Sequence, residues 1–227
     1  MATTSRDRIM TEALRLFGER GFAKTSVAQI EQAAGLSGGS GALYRHFKSK
    51  DELLVQAVAA RLEDRGDWER FLTPGFSIVD MLATLSPTGS TVDKLLTLGR
   101  IGLARLDHDR DVTRILLRDN SIPAPMLEVF RQREYAVVLS TVTRGLVELA
   151  GDRAREEDWD AAAAVLVGAL AHFWMMRDIF DGGHPAGIDT DRYLRATAEL
   201  VAARLDRAST EPAPRSTAGA VSADVSP

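Results

Sequence analysis

Residues 25–50 read TSVAQIEQAAGLSGGSGALYRHFKSK, and the way this stretch folds decides what the rest of the chain is for. Ser26 followed by Gln29 has the spacing of a capping box, in which each side chain satisfies the other's free backbone N–H. Val27, Ile30 and Ala34 then form the apolar face of a short helix that starts at Thr25 or Ser26 and ends at Gly35. A third short helix is expected within residues 37–46, its start blurred by glycines. Ser49 and Glu52 repeat the capping-box spacing and open a fourth helix, carried by Leu53, Leu54, Ala57, Val58 and Leu62 to about residue 66. Upstream, residues 5–20 set Ile9, Ala13, Leu16 and Phe17 on one stripe, closed by Gly21. Short helices joined by a glycine-bearing turn have the shape of a helix-turn-helix unit. In such a unit the last helix lies in the DNA major groove and the preceding one crosses the backbone.

The residue types suit that geometry. Thr25 and Ser26 sit at a predicted helix N-terminus, where hydroxyls and free N–H groups are ready phosphate donors. Leu36 can plug the core beside the small residues Ala33, Ala34 and Gly35. Ser37, Gly38, Gly39, Ser40, Gly41 and Ala42 have almost no side-chain bulk, so their backbone can approach base edges or phosphates. Tyr44, Arg45, His46, Lys48 and Lys50 add hydroxyl, imidazole and cationic donors. Charge is distributed accordingly. Residues 1–50 hold 8 Lys and Arg against 4 Asp and Glu, a net of +4, whereas residues 51–227 hold 20 against 28, a net of -8. A basic head on an acidic body suits a protein that touches phosphates with one end.

Beyond residue 66 the pattern stays helical. Between Gly66, Pro74, Gly75, Pro87 and Gly89, the residues Ile78, Val79, Met81, Leu82 and Leu85 predict one short helix. Further helices are expected at roughly 91–107, 109–119, 123–150, 156–180 and 189–207. No period-two strand emerges, so the fold class is all-α. Residues 208–227 lack Leu, Ile and aromatics and are expected to be a disordered tail. At 45% hydrophobic and 26% charged, the chain reads as a soluble globular protein. It contains no cysteine, which excludes disulfides and cysteine-held metal. With no apolar run of membrane-spanning length and no signal-type N-terminus, the expected location is cytoplasmic.

The segment from Arg8 to Leu54 resembles the DNA-binding domain of the TetR (tetracycline repressor) family. The resemblance rests on ALRLFGERGFAKTSVAQI at 13–30, AAGLS at 33–37 and LYRHFKSKDELL at 43–54, and covers about the first quarter of the chain. It implies that Phe17, Ile30, Leu43 and Phe47 are core, that Thr25, Ser26, Tyr44, His46 and Lys50 contact phosphates, and that residues 38–42 with Arg45 face bases. One departure stands out. The family has five steps from the serine after Ala-Gly-x to the tyrosine, whereas Ser37 to Tyr44 is seven, which lengthens the turn where the recognition helix should begin.

The resemblance further implies a head at 1–49 and a helical ligand-binding and dimerisation domain at 50–207. Apolar and polar groups that could line a ligand cavity there are Trp68, Phe71, Met81, Leu85, Phe130, Tyr135, Phe173 and Met176, with His108 and His172 as polar anchors. Trp159, Ala163, Leu166, Val167, Leu170 and Trp174, followed by Tyr193, Thr197, Leu200 and Val201, form stripes broad enough for a homodimer interface. Expected partners are a double-stranded operator, a second copy of the chain and a small-molecule effector. No cofactor is expected, no spacing of histidines and carboxylates suits a metal, and no nucleophile motif or phosphate loop suggests an enzyme. The expected function is a dimeric repressor that binds a near-palindromic operator and is released by a small molecule, with the fourth helix as lever. The alternatives are a helical small-molecule binder without DNA binding, or an activator.

Overall fold

A computed structural model describes residues 4–73, 75–151 and 157–207. In chain order it contains α1 (Ser5–Arg20), α2 (Val27–Ala33), a 3-10 turn (Leu43–Arg45) and α3 (Lys50–Glu63). A second 3-10 turn (Gly66–Trp68) leads into the single-turn α4 (Glu69–Leu72), followed by α5 (Ile78–Leu85), α6 (Thr91–His108) and α7 (Arg110–Arg118). Next come α8 (Ala124–Phe130), a π-helical turn (Arg131–Tyr135), α9 (Ala136–Ala150), α10 (Trp159–Ile179) and α11 (Thr190–Arg207). The fold is all-α, with no strand among the described residues, and each long helix predicted from periodicity is present. The predicted disordered tail at 208–227 lies outside the described residues.

Local chemistry explains most helix boundaries. The capping box at α2 forms as its spacing demands: Gln29 N donates to Ser26 Oγ at 3.3 Å and Ser26 N donates to Gln29 Oε1 at 2.9 Å. At α3 only half of the expected box forms. Glu52 N donates to Ser49 Oγ at 3.0 Å, but the Glu52 carboxylate accepts from Lys48 N at 2.6 Å, one residue before the cap. The largest departure is the third helix, which shrinks to the 3-10 turn at Leu43–Arg45. Gly35, Gly39 and Gly41 adopt φ of 73°, 77° and 71°, in the left-handed region that breaks a helix. The two extra residues are thus taken up by turns, with Ser40 N donating to Ser37 O and Tyr44 N to Gly41 O.

Two apolar cores organise the molecule. The first joins α1, α2 and α3 through Ile9, Phe17, Ile30, Leu43, Phe47 and Leu54, and also takes in Val112 and Ile115 of α7 and Met126 of α8. The second is built from α6, α9, α10 and α11 around Leu96, Leu103, Leu146, Trp159, Phe173, Trp174 and Leu194. Helix α10 is long and apolar enough, by length and composition, to cross a membrane, yet Trp159, Ala163, Leu170, Phe173 and Trp174 are buried in this second core.

Candidate functional site

On the head, the buried side chains Leu43 and Phe47 fix the short turn from both ends. Tyr44, Arg45 and His46 between them, and Lys48 beyond, point outward, with Tyr44 58% exposed. Beneath the turn, Leu43 N donates at 2.9 Å to Oε1 of Glu31, whose side chain is fully buried. Ser26, which caps α2, and the run Ser37, Gly38, Gly39 and Ser40 are exposed, while Gly41 and Ala42 are half-buried. These residues form one outward edge of small groups rimmed by donors.

Two residues expected to touch phosphates turn inward. The Thr25 hydroxyl is buried and donates to Leu16 O at 3.2 Å and Gly21 O at 2.9 Å. The Lys50 ammonium donates to Phe22 O at 2.8 Å and Thr25 O at 3.1 Å, and lies 4.3 Å from the centre of the Phe22 ring. Both bond carbonyls near the end of α1 and in the turn that follows it, so their polar atoms serve the fold.

In the body, a cavity of about 370 Å³ lies between the two cores, walled by α6, α7, α9, α10 and α11 and by the aromatic side chains after α3. Of the residues named from the sequence, Trp68, Phe71, Phe130 and Tyr135 line it. Met81, Leu85, His108, His172, Phe173 and Met176 do not. Leu85, His108 and His172 face solvent, and Phe173 is fully buried in the second core, stacked on Tyr193 with ring centres 4.1 Å apart. Met81 and Met176 are half-buried away from the wall.

The expected dimer stripe is also largely internal. Trp159, Ala163, Leu170 and Trp174 are core, and Leu166, Val167, Thr197 and Val201 face the cavity. Tyr193 donates its hydroxyl to Ala169 O at 2.9 Å. Of that set only Leu200 is strongly exposed, at 75%, and its counterpart on α10 is Val165, at 73%. The stripes are broad because they meet both a core and a cavity.

The polar end of the cavity was missed in the sequence. Arg105, Asp109 and Glu134 line it, from α6, the α6–α7 corner and the π-helical turn. Arg105 donates from Nε and Nη2 to the Glu134 carboxylate at 3.1 and 2.8 Å. Its Nη1 lies 2.6 Å from Asp109 Oδ2, and Arg61 Nε lies 3.1 Å from Asp109 Oδ1. These last contacts are ion pairs at poor hydrogen-bonding angles: among the described residues, no aligned hydrogen bond reaches Arg105 Nη1 or either Asp109 oxygen. Burial pushes the Asp109 carboxyl above its ordinary pKa, and Glu134 adds to this against the pull of Arg105 and Arg61. The available signal was the i, i+4 spacing of Arg105 and Asp109, which places two charges on the helix face that carries Leu98 and Gly102.

Helix α7 connects the two regions. Val112, Thr113 and Leu116 line the cavity, while on the opposite side α7 packs against α1 at Gly18. A Cβ on Gly18 would stand 3.1 Å from Asp111 Cα, so the helices touch backbone to backbone. Arg114 grips Asp178 of α10 with contacts of 2.8–3.1 Å. At the far end of α7, the Asp119 carboxylate accepts from Phe22 N of the head and from Ser121 N and Oγ. Burial acts to raise the Asp119 pKa, but these hydrogen bonds and nearby Lys50 outweigh it and hold the carboxyl below the ordinary aspartate value.

Comparison with known proteins places this geometry. The family model for "Bacterial regulatory proteins, tetR family" matches residues 9–57. The HTH-type transcriptional regulator YerO of Bacillus subtilis is 44% identical over 52 residues, which are 23% of this chain and 17% of YerO. The first relatives are therefore matched over less than a third of their own length. The HTH-type transcriptional regulator TtgR of Pseudomonas putida is 28% identical over 196 residues, covering 79% of this chain and 85% of TtgR. Among solved structures, a transcriptional regulator from Mesorhizobium loti superposes with a TM-score of 0.61 at 21% identity, over 88% of this chain and 96% of that one.

Proposed function

We propose that the chain, whose residues 9–57 match the model of the TetR family of bacterial regulatory proteins, is a homodimeric transcriptional repressor of the cytoplasm that releases a near-palindromic operator when a small molecule fills the body cavity. In this reading residues 1–49 are the DNA-binding unit and residues 50–207 the ligand-binding and dimerisation unit. Ser26, Tyr44, His46 and Lys48 hold phosphates, while the edge from Ser37 to Ala42, with Arg45, meets bases. The observation that carries the proposal is the position of α7, which is wall to the cavity on one side and support for α1 on the other. A ligand pressing on Val112, Thr113 and Leu116 changes the seat of the head. It shifts the DNA-binding equilibrium only by its differential affinity for the two arrangements. Helix α3 shares the task, since Leu62 also lines the cavity.

Selection of binding sites from a random duplex library, read by sequencing, tests the proposal. The expected result is enrichment of an inverted repeat with half-sites about one helical turn, ~34–36 Å, or a near multiple apart. No enrichment over random competitor at low salt would overturn it.

A further inference from the structure

The polar end of the cavity carries information about what the cavity takes, given the reading of that cavity as the effector site. Its wall is otherwise apolar, from Leu98 and Ile101 to Val138 and Leu166, so the bulk of any occupant must be hydrocarbon or aromatic. The ions at its end are balanced: half-buried Arg61 and buried Arg105 face Asp109 and Glu134. At the rim, the cation of Arg65 is offset by exposed Asp64, which also pairs with Arg61 at 3.5 Å. A carboxylate or ammonium brought into this end would therefore add an uncompensated charge where solvent is largely excluded, which is costly.

The hydrogen bonds, by contrast, are incomplete. Asp109 is 5% exposed and lines the cavity, yet neither of its oxygens receives an aligned hydrogen bond from the described residues, and Nη1 of Arg105 gives none. Such groups normally find partners, because an unmet buried donor or acceptor costs more than a formed bond contributes. One donor beside two acceptors, each held in an ion pair but without an aligned hydrogen bond, is the complement of a hydroxyl, which both gives and receives. We infer that the cavity binds an uncharged, lipophilic molecule bearing a hydroxyl group, which donates to Asp109 and accepts from Arg105 while its apolar body lies along α6 and α9. The ligand then touches the corner from which α7 departs, so occupancy reports directly to the helix that supports the head.

Calorimetric titration of the full chain with 1-decanol, decanoate and decylammonium tests this, since the three share one chain and differ only at the end. The expected order has 1-decanol tighter than either ion by about tenfold or more, the scale of a single well-made hydrogen bond. Either ion matching or exceeding the alcohol overturns the inference while leaving the effector cavity standing. Failure of all three to bind, with operator binding intact, overturns both. Asp109→Asn removes one negative charge and should shift the preference toward decanoate. Glu134→Gln changes the charge count equally and serves if the first variant does not fold. An unchanged order in a folded variant would show that charge balance does not select the ligand.

Discussion

Two lysines two positions apart have opposite assignments, and the difference lies in what each ammonium can reach. Lys48 is exposed, whereas Lys50 is held by two carbonyls and the Phe22 ring. Lys48→Ala is therefore expected to weaken binding to every duplex alike and to reduce the slope of log K against log salt by about 0.9 for each head, the contribution of one phosphate, or about 1.8 for a dimer on its operator. Lys50→Ala should leave that slope alone and lower the melting temperature instead. Anisotropy titrations across a salt series, paired with thermal melts, separate the two, and equal slopes for both variants would refute the assignment. Glu31 belongs to the same scale. Its buried carboxylate receives Leu43 N, so Glu31→Ala strands that N–H and should cost about 1–3 kcal/mol by denaturant unfolding. Nothing in the sequence announced this, because a glutamate in an amphipathic helix ordinarily faces water. Thr25 misled for a related reason: hydroxyls at a helix start suit phosphate, but this one lies under the α1 carboxyl end and finds carbonyls first.

Helices were legible wherever one face was apolar and the ends carried capping chemistry, which is why α1, α2, α6, α10 and α11 fall within a few residues of their predicted bounds. The recognition segment was not, because its glycines permit several backbone paths and no periodicity chooses among them. The cavity was half legible: the aromatics near α4 and the π-helical turn reach it, whereas those of α10 are drawn into core packing. The role of α7 was hidden altogether, since contacts between Gly18 and Asp111, or between Phe22 and Asp119, join positions far apart in the chain. Helix α7 yields a prediction of its own. Asp119 has a lowered pKa in the folded state, so its contribution is complete above the unfolded aspartate value and is lost as pH falls through the folded one. Asp119→Asn should therefore reduce stability near neutrality by about 1–2 kcal/mol, the scale of a charge-assisted hydrogen bond, and flatten the acid limb of a plot of melting temperature against pH. An unchanged acid limb would mean that Asp119 does not couple head to body.

At the scale of the molecule, the proposed function requires that one acidic body pair with another so that two basic heads meet one operator. The apolar surface available for pairing is the outer face of the last two long helices, not the inward stripe that the spacing of their apolar residues suggested. Val165 of α10 and Leu200 of α11 are the most exposed large apolar side chains described, and small residues flank them, Ala161 and Gly168 on one helix and Ala196 and Ala203 on the other, so a second copy could approach closely. A two-fold arrangement repeats this face against itself, setting each side chain on the same patch of the partner. A charge there is buried twice per dimer, so Leu200→Glu should shift the full chain from dimer to monomer in sedimentation velocity at micromolar concentration. The cavity, which lies on the inner side of these helices, should keep its ligand affinity. Operator binding should fall much further than for any single contact variant, because a monomer retains one half-site and loses the gain in effective concentration that joins the second. A Leu200→Glu protein that still sediments as a dimer would place the interface elsewhere, and one that is monomeric yet binds the full operator undiminished would remove the need for two heads.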